Sequence, residues 1–426
     1  MPASGPTVRL PDAAWRETPE LRTLVGTFAA GGAQVRFVGG CVRDTLAGRP
    51  VKDVDIATPL LPAEVTAILR AAGLKVVPTG IAHGTVTAVV NRHPFEITTL
   101  RRDVDTDGRH AVVAFTADWR ADAARRDFTM NALSATPDGR VFDYFDGCAD
   151  LAAGRVRFVG PASDRITEDY LRILRFFRFF AHYGRPPPDA EAVAACRGLA
   201  AHLSALSAER VRDETLKLLA APDPSAAWRL MAETGVAREI LGEDGDWVRL
   251  ARLVAIEGEA DPIRRLAALV ADAATLPGLA ARLKLTNADR DRLLAIAAAG
   301  RPDGLPRDAA EARRMAYALG REDLGRQMVR DGLLLAAAGA ADPGPLLALR
   351  RALDGWTVPR FALAGRDAVG LGLRVGPQVG RVLRAVEDWW VAGGFAAGRD
   401  ECLDELKRRI AAPNGGDAGA GRTDGL

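Results

Sequence analysis

The pattern of the sequence changes near residue 160, and this change restricts the folds that are open to the chain. After Ser163, apolar residues recur at helical spacing almost to Ile410. Before it, helical patterns at 20–33, 42–48 and 62–72 alternate with strand-like runs at 35–38, 54–58, 86–90, 95–100 and 141–145. We therefore predict an α+β fold, in which an N-terminal mixed sheet with helices is followed by an elongated all-helical region.

The charge of the chain is nearly balanced. Its 426 residues carry 57 basic and 55 acidic side chains, which gives a net charge of +2. The length suggests two to four domains. A nucleic-acid binder often has a larger basic excess, so any such role depends on basic residues that cluster on one face.

The cysteines and the N-terminus indicate an intracellular protein. The cysteines are far apart, form no CxxC pair and are expected to be free thiols in a reducing compartment: Cys41, Cys148, Cys196 and Cys402. The first 20 residues have no apolar core, so no signal peptide is predicted. Because no stretch of 18 uninterrupted apolar residues occurs, we predict no membrane span and a cytoplasmic location.

A pair of glycines, Gly39 and Gly40, stands between a predicted strand and a predicted helix. Glycines at this position let backbone N–H groups approach a phosphate, and the N-terminus of a helix favours negative charge. Arg43 follows three residues later and is placed to reach the same phosphates. The segment predicts a phosphate site, although a glycine pair alone also occurs in ordinary turns.

Asp53 and Asp55 form an Asp-x-Asp pattern at a predicted strand. Residues two apart in a strand project from the same face, and neighbouring carboxylates repel each other unless a cation lies between them. Paired Mg²⁺ ions roughly 3.5–4 Å apart would bridge such a pair to a triphosphate. The alternative is two solvated acids at a strand end; the glycine turn upstream favours the metal site. Glu96 is a candidate third carboxylate or base if its strand is a neighbour, and a surface salt bridge otherwise.

Two further segments carry arginines beside acids. In RRDFTMNALS (125–134), Arg126 offers a fork for phosphate oxygens, and Asp127 and Asn131 are candidates for ribose contacts; the alternative is an ordinary helix start. In EDYLRILRFFRFF (168–180), every third residue is charged, which in a helix gives a slowly winding ribbon suited to base edges and phosphates. The alternative is the polar face of an amphipathic helix. The ribbon comprises Asp169, Arg172, Arg175 and Arg178.

Together these segments resemble the class II nucleotidyltransferases, the bacterial CCA-adding enzymes and poly(A) polymerases. The pattern GGxVRDxLxGxxxxDxD is complete from Gly39 to Asp55. RRDFTMNA matches the sugar-recognition motif of the family, and EDYLR matches its nucleotide-selection motif. Residues 207–219 are similar to the segment that closes the neck, and residues 365–383 are similar to a segment of the tail. The resemblance extends from about residue 20 to 410.

The resemblance implies roles for individual residues. Asp53 and Asp55 would hold catalytic Mg²⁺ beneath the triphosphate of CTP or ATP, and the 3′ end of tRNA would be the acceptor. Asp169 and Arg172 would imitate Watson–Crick partners of cytosine or adenine. Further nucleotide contacts would come from Gly40, Arg43, Arg126, Arg175 and Arg178.

The resemblance also implies an order of domains. A polymerase beta-like catalytic head would span 20–150, a neck 151–222, a body 223–340 and a tRNA-binding tail 341–411. Residues 412–426 have little to bury and are predicted to be disordered. The oligomeric state is not indicated by the sequence.

Several related activities share these motifs. A poly(A) polymerase or a CC-only or A-only adding enzyme is the nearest alternative; a noncatalytic tRNA-binding protein and a nucleotide hydrolase are more distant ones. The polar segment 101–119 is predicted to be a mobile loop, and a comparable loop in CCA-adding relatives is needed for the switch to adenine. Its presence favours complete CCA addition.

Overall fold

The computed structural model describes residues 8–77, 80, 84–106, 111–320 and 323–411, without the side chains of 103–113 and 323. The chain divides into two compact units between Thr286 and Asn287. The domain borders predicted above, at 150, 222 and 340, are not tested by this division and stay predictions. The predicted disordered terminus, 412–426, lies outside the described residues.

The strands of the described residues all lie in the first 142 positions. Runs rich in β-branched residues are separated there by turn residues, which is the pattern that predicts strands. The strands are β1 (Val8–Arg9), β2 (Arg36–Val38), β3 (Asp55–Thr58), β4 (Lys75–Val77), β5 (Thr85–Val90), β6 (His93–Thr99), β7 (Arg101–Thr106), β8 (Ala111–Phe115), β9 (Ser134–Ala135) and β10 (Arg140–Phe142).

Eight of these strands form one mixed sheet, in the order β1-β10-β9-β2-β3-β6-β5-β4. Strands β3 and β6 are parallel neighbours in this sheet, and their register places Asp55 opposite Glu96. The pair β5–β6 is an antiparallel hairpin whose turn residues, Asn91 and Arg92, both have positive φ. Such a two-residue turn matches the right-handed twist of the strands.

The segment from Arg101 to Phe115 differs from the predicted loop. Its strands β7 and β8 pair with each other in a separate antiparallel hairpin. Val104 and Thr106 on β7 and Val112 and Val113 on β8 supply strand propensity among the polar residues. Residues 107–110, at the centre of the predicted loop, lie outside the described residues.

Helices make up the rest of the first unit. Phe28, Val42, Leu69 and Ile97 are among the buried residues that pack the first helices on the sheet. The helices are α1 (Pro19–Ala30), α2 (Gly40–Leu46), α3 (Pro62–Ala71), α4 (Trp119–Ala124), α5 (Gly147–Ala153), α6 (Ala162–Glu168), α7 (Leu171–Tyr183), α8 (Ala190–Leu199), α9 (Ala208–Leu219), α10 (Ser225–Glu233), α11 (Val236–Leu241), α12 (Trp247–Glu257), α13 (Pro262–Leu269) and α14 (Leu276–Arg282).

The described part of the second unit is helical. One of its cores is built around Trp390, which is 5% exposed. The helices are α15 (Asn287–Ala299), α16 (Ala309–Leu319), α17 (Asp323–Gly339), α18 (Gly344–Ala352), α19 (Gly365–Gly370), α20 (Pro377–Ala392) and α21 (Arg399–Ala411).

The predicted fold class is confirmed, because a mixed sheet with helices precedes a long helical region. Among the described helices, none is long and apolar enough to cross a bilayer. The four cysteines are free thiols, as expected.

Candidate active site

The glycine turn brings two arginines beside a helix N-terminus. Gly39 has φ +68°, and α2 begins at the next residue. A Cβ atom on Gly39 would lie 2.9 Å from Nη1 of Arg126, and one on Gly40 would lie 3.7 Å from Nη2 of Arg43. The turn thus presents backbone N–H groups and two guanidinium groups at one place, which suits the charge of a polyphosphate.

The close approach of Arg126 to Gly39 gives a testable prediction. Alanine at Gly39, where φ is +68° and ψ is −122°, should cost about 1–3 kcal/mol of folding free energy through backbone strain. Alanine at Gly48, which also has positive φ, should cost about 1–2 kcal/mol. Only Gly39→Ala would also push Arg126 away, because nothing lies within 4 Å of a Cβ at Gly48. We expect both variants to melt below the wild-type protein, with kcat/KM lower by roughly tenfold or more in Gly39→Ala alone. Equal losses of kcat/KM would show that the position of Arg126 is unimportant.

The two predicted metal-binding acids lie at the edge of β3. Only Asp55 belongs to the strand; Asp53 precedes it, because the pairing of β3 with β2 and β6 begins after Val54. Both acids are exposed and line one open cavity of about 690 Å³, together with Glu96. Partial burial raises the pKa of Asp55; Arg126 lowers that pKa and the neighbouring Asp53 raises it.

These acids fit a divalent cation of the hard, oxygen-binding type. Magnesium is commonly bound by one or two carboxylates together with substrate phosphates, and Asp53 and Asp55 supply such a pair. Within the described ranges, no three acidic, histidine or cysteine side chains are already grouped around a common centre. The adjacency of the Glu96 strand is confirmed; a role for Glu96 as third ligand or base stays a prediction.

Arg43 is held in place by two partners. Its Nε donates to Asp44 at 2.9 Å, and its Nη1 donates to Oδ1 of Asn131 at 2.6 Å. The amide nitrogen of Asn131 in turn donates to Asp127 at 2.9 Å. Asp44 also accepts a 2.6 Å hydrogen bond from the hydroxyl of Tyr183. The guanidinium beside the glycine turn is therefore fixed before any nucleotide arrives.

Asp127 is fully engaged inside the protein. One oxygen accepts from the backbone N–H of Phe128 and from Asn131, and the other accepts from two nitrogens of Arg175. Burial acts to raise the pKa of Asp127, but Arg175 and these hydrogen bonds outweigh it, so the pKa is lowered. A carboxylate accepts about four hydrogen bonds. No acceptor position is left for a ribose hydroxyl, in contrast to the contact predicted from the sequence.

The charged ribbon predicted at 169–178 is interrupted. Helix α6 ends at Glu168 and α7 begins at Leu171, so Asp169 lies in extended backbone between two helices. Its Oδ1 accepts from the N–H of Leu171 at 3.1 Å and so satisfies the start of α7. An aspartate gains such a bond by leaving the helix, which overrides the three-residue periodicity. Arg172, Arg175 and Arg178 share α7 as predicted.

Arg175 and Arg178 are paired with acids from distant segments. Arg175 binds Asp127, and Nε of Arg178 donates to Glu214 on α9 at 2.6 Å. These pairs fasten α7 to the RRDFT segment and to α9. Direct contact of either arginine with a nucleotide stays a prediction, as do the roles of the other site residues.

Sequence reasoning missed some residues that organise the site. Asp122, on α4, is 5% exposed and lies 3.5 Å from Nη2 of Arg126, which follows just past the end of that helix. The spacing of four residues between them could have indicated this contact. Arg165 donates to the carbonyl of Arg126 at 3.0 Å. Arg210, on α9, pairs with Asp169 at 2.8 Å. No local pattern predicts the contact of Arg165 with Arg126 or that of Arg210 with Asp169, because each joins residues about 40 positions apart.

Comparison with known proteins agrees with this geometry. The chain matches the family description "Poly A polymerase head domain" over residues 35–157 and "Probable RNA and SrmB-binding site of polymerase A" over residues 188–243. The fold and the site thus define a nucleotidyltransferase head joined to helical domains.

Individual relatives indicate which branch of this family the chain belongs to. The mitochondrial CCA tRNA nucleotidyltransferase 1 of Danio rerio is 35% identical over 397 residues, 92% of this chain and 91% of that protein. Its Homo sapiens counterpart is 33% identical over 92% of this chain and 90% of that protein. The crystal structure of the Bacillus stearothermophilus CCA-adding enzyme in complex with CTP has a TM-score of 0.73 and 30% identity, and covers 92% of this chain and 98% of that chain. The chain belongs to the family of CCA-adding tRNA nucleotidyltransferases.

Proposed function

We propose that this protein completes the 3′ end of tRNA by adding CMP and AMP from CTP and ATP, with release of pyrophosphate. The proposal is supported by relatives that share nearly the whole chain and are named as CCA-adding enzymes. Mg²⁺ is the proposed cofactor, and a cytoplasmic location stays a prediction, since several of the relatives are named as mitochondrial.

One observation carries the proposal most directly. The glycine turn and Asp55 lie side by side, because β2 pairs with β3 with Phe37 opposite Ile56, and the thiol of Cys41 at the turn contacts the carbonyl oxygen of Asp55 at 3.9 Å. The guanidinium of Arg126 lies against the same turn at Gly39. A triphosphate on the turn would therefore lie between positive groups and an acid pair that binds a cation. This is the arrangement that nucleotidyl transfer requires.

The reaction follows from the positions of these groups. The 3′-hydroxyl oxygen of tRNA attacks the α-phosphorus in line, the bond from that phosphorus to the bridging oxygen breaks, and pyrophosphate leaves. A divalent ion held by Asp53 and Asp55 supplies charge stabilisation at the phosphate oxygens when it is bound. Arg43 and Arg126 hold the β- and γ-phosphates, and Glu96 is the candidate acceptor of the hydroxyl proton.

The choice of base is assigned to Asp169 and Arg172. Cytosine and adenine both present an exocyclic amino group and a ring nitrogen that accepts, so a carboxylate and a guanidinium together complement either base. Uracil and guanine present a carbonyl oxygen and an N–H at the same places. The carbonyl oxygen would then face the carboxylate of Asp169, and the N–H would face the guanidinium of Arg172, so neither pair could form a hydrogen bond. Mismatched polar groups of this kind are strongly rejected in a desolvated pocket.

Base selection and tRNA binding are assigned to different proposed domains. The neck (151–222) would carry base selection, while the body (223–340) and the tail (341–411) would hold the acceptor arm of tRNA. Contacts to RNA phosphates position a helical RNA without reading its sequence. The partners are thus tRNA, CTP and ATP.

Supplying labelled nucleotides one at a time tests the proposal against its alternatives. With tRNA that lacks its last three nucleotides, we expect CTP alone to give two additions and ATP alone to give almost none. Repeated incorporation of ATP without use of CTP would indicate a poly(A) polymerase. Release of phosphate from nucleotides without RNA extension would indicate a hydrolase, and binding of tRNA without either reaction would indicate a noncatalytic protein.

A further inference from the structure

The proposed base-reading residues are already held by protein partners in the absence of a nucleotide. Oδ2 of Asp169 accepts from Nη2 of Arg210 at 2.8 Å, and its Oδ1 accepts from the N–H of Leu171 at 3.1 Å. Nη1 of Arg172 donates to Glu168 at 2.6 Å and to the carbonyl of Arg165 at 2.7 Å. Both reading groups are therefore oriented before the base arrives.

Asp169 is held without being saturated. Each carboxylate oxygen can accept about two hydrogen bonds, and each oxygen of Asp169 has accepted one from the protein. Asp127 differs, because all of its acceptor positions are filled by protein donors. Asp127 therefore has a structural role, whereas Asp169 can still accept a hydrogen bond from a ligand. The side chains of Asp169 and Arg210 are 26% and 32% exposed, so a base can approach them.

Arg210 is the one cationic side chain among the described residues that is hydrogen-bonded to Asp169. Arg172 has a more redundant support, because its partner Glu168 is also bound by Arg165 at 2.5 Å. The orientation of the carboxylate thus depends on one side-chain pair, between the α6–α7 junction and α9, together with the hydrogen bond from the backbone N–H of Leu171.

The position of α9 does not depend on that pair. Glu214, farther along the same helix, binds Arg178 of α7 at 2.6 Å and is 5% exposed. Leu218 and Leu219 of α9 are buried as well. Loss of the Arg210 side chain should therefore leave the helix docked.

We propose that Arg210 is a positioning residue for nucleotide selection, which fixes the carboxylate of Asp169 as a hydrogen-bond acceptor for the amino group of cytosine or adenine. This inference rests on the proposed function of Asp169. Arg210 stays bound to Oδ2 while the base donates to a remaining lone pair. Without Arg210, the carboxylate would be held by the N–H of Leu171 alone. It would then meet the amino group less often and discriminate less against uracil and guanine, since fixed geometry is the source of such selectivity.

Equilibrium binding of single nucleotides tests this role without requiring RNA extension. We expect Arg210→Gln to weaken the binding of CTP and ATP by roughly tenfold and to change UTP and GTP by less than about twofold. Arg210→Lys keeps the positive charge and should restore part of the difference. The matched control is Arg212→Gln, since Arg212 lies on the same helix but binds Asp213 and the carbonyl of Lys284.

A double variant distinguishes a positioning role of Arg210 from a general loss of structure. If Arg210 acts through Asp169, then Arg210→Gln added to Asp169→Asn should weaken CTP binding no further than Asp169→Asn alone. In single-turnover extension of tRNA, the ratio of kcat/KM for CTP over UTP should fall about tenfold in Arg210→Gln.

The inference is overturned if Arg210→Gln keeps the wild-type ratio of CTP to UTP affinity, or weakens all four nucleotides equally. If Arg210→Gln does not fold, the same comparison with Arg210→Lys decides the question. Wild-type protein that prefers CTP over UTP in binding but extends no tRNA would refute the proposed function alone. Wild-type extension with unchanged selectivity in Arg210→Gln would refute only the role of Arg210.

Discussion

Replacing Asp55 by asparagine is expected to lower the rate of nucleotide addition by roughly a thousandfold, because metal-ion stabilisation contributes several kcal/mol and each 1.4 kcal/mol is a factor of ten. Asp53→Asn should have a similar effect. The measurement is single-turnover extension of tRNA with CTP at saturating Mg²⁺. The same variants should also lose the rise in melting temperature that Mg²⁺ and CTP together produce in the wild-type protein.

The loss should not come from unfolding. The pKa of Asp55 is raised in the folded protein, so folding disfavours its ionised form and the carboxylate reduces stability at pH values above its unfolded pKa. Asparagine removes that unfavourable charge, and the metal-free variant should melt at or slightly above the wild-type temperature. Glu17→Gln is the control, because Glu17 is an exposed acid paired with Arg22. Wild-type rates in Asp55→Asn would refute the proposed metal site.

Replacing Glu257 by glutamine should destabilise the first unit by about 3–5 kcal/mol, which is the usual effect of removing one partner from a buried ion pair. Glu257 is 4% exposed and binds two buried arginines, Arg264 at 2.8 Å and Arg265 at 2.7 Å. Arg265 also donates to the carbonyls of Leu219 and Ala221 at the end of α9. The substitution would leave two cations without their shared acid beneath the helix that carries Arg210.

Denaturant unfolding of the full chain measures this effect. Glu233→Gln is the matched control: Glu233 pairs with Arg229, but both side chains are more than half exposed, and such pairs contribute about 0–1 kcal/mol. A Glu257→Gln variant that unfolds at the same denaturant concentration as Glu233→Gln would show that the buried triad does not stabilise the unit.

The parts of the fold that depend on local patterns could be predicted from the sequence. The glycine turn and the two helices that follow it were predicted from glycine content and helical spacing. The helix predicted at 62–72 ends one residue early, at Ala71, whereas the helix predicted at 42–48 lies two residues earlier, at Gly40–Leu46. The strands β5 and β6 were also predicted, at 86–90 and 95–100, because they are rich in β-branched residues.

Two features could not be predicted because competing local effects decided them. Asp169 leaves the helical ribbon to accept a hydrogen bond from Leu171, and the periodicity of the arginines gives no sign of this break. The segment 101–115 forms a hairpin where its charge and glycine content predicted a loop. At Asp169, a hydrogen bond between side chain and backbone outweighs the helical periodicity. In β7 and β8, the strand propensity of the valines and the threonine outweighs the charge.

The organisation of the candidate site depends on contacts between distant segments. Arg175 meets Asp127 across 48 positions and Arg178 meets Glu214 across 36, and no spacing rule connects such residues. The sequence therefore indicated which charged residues matter but not which of them bind each other. That distinction separates the saturated Asp127 from Asp169, which keeps open acceptor positions.

The sequence of the product formed on trimmed tRNA tests the central claim most directly. Purified protein, Mg²⁺, CTP and ATP would be incubated with tRNA that ends at the position before CCA, and the extended 3′ ends would be sequenced. We predict that C, C and A are added in that order and that extension then stops. Addition of adenosine runs, of C alone, or of nothing at all would contradict the assignment.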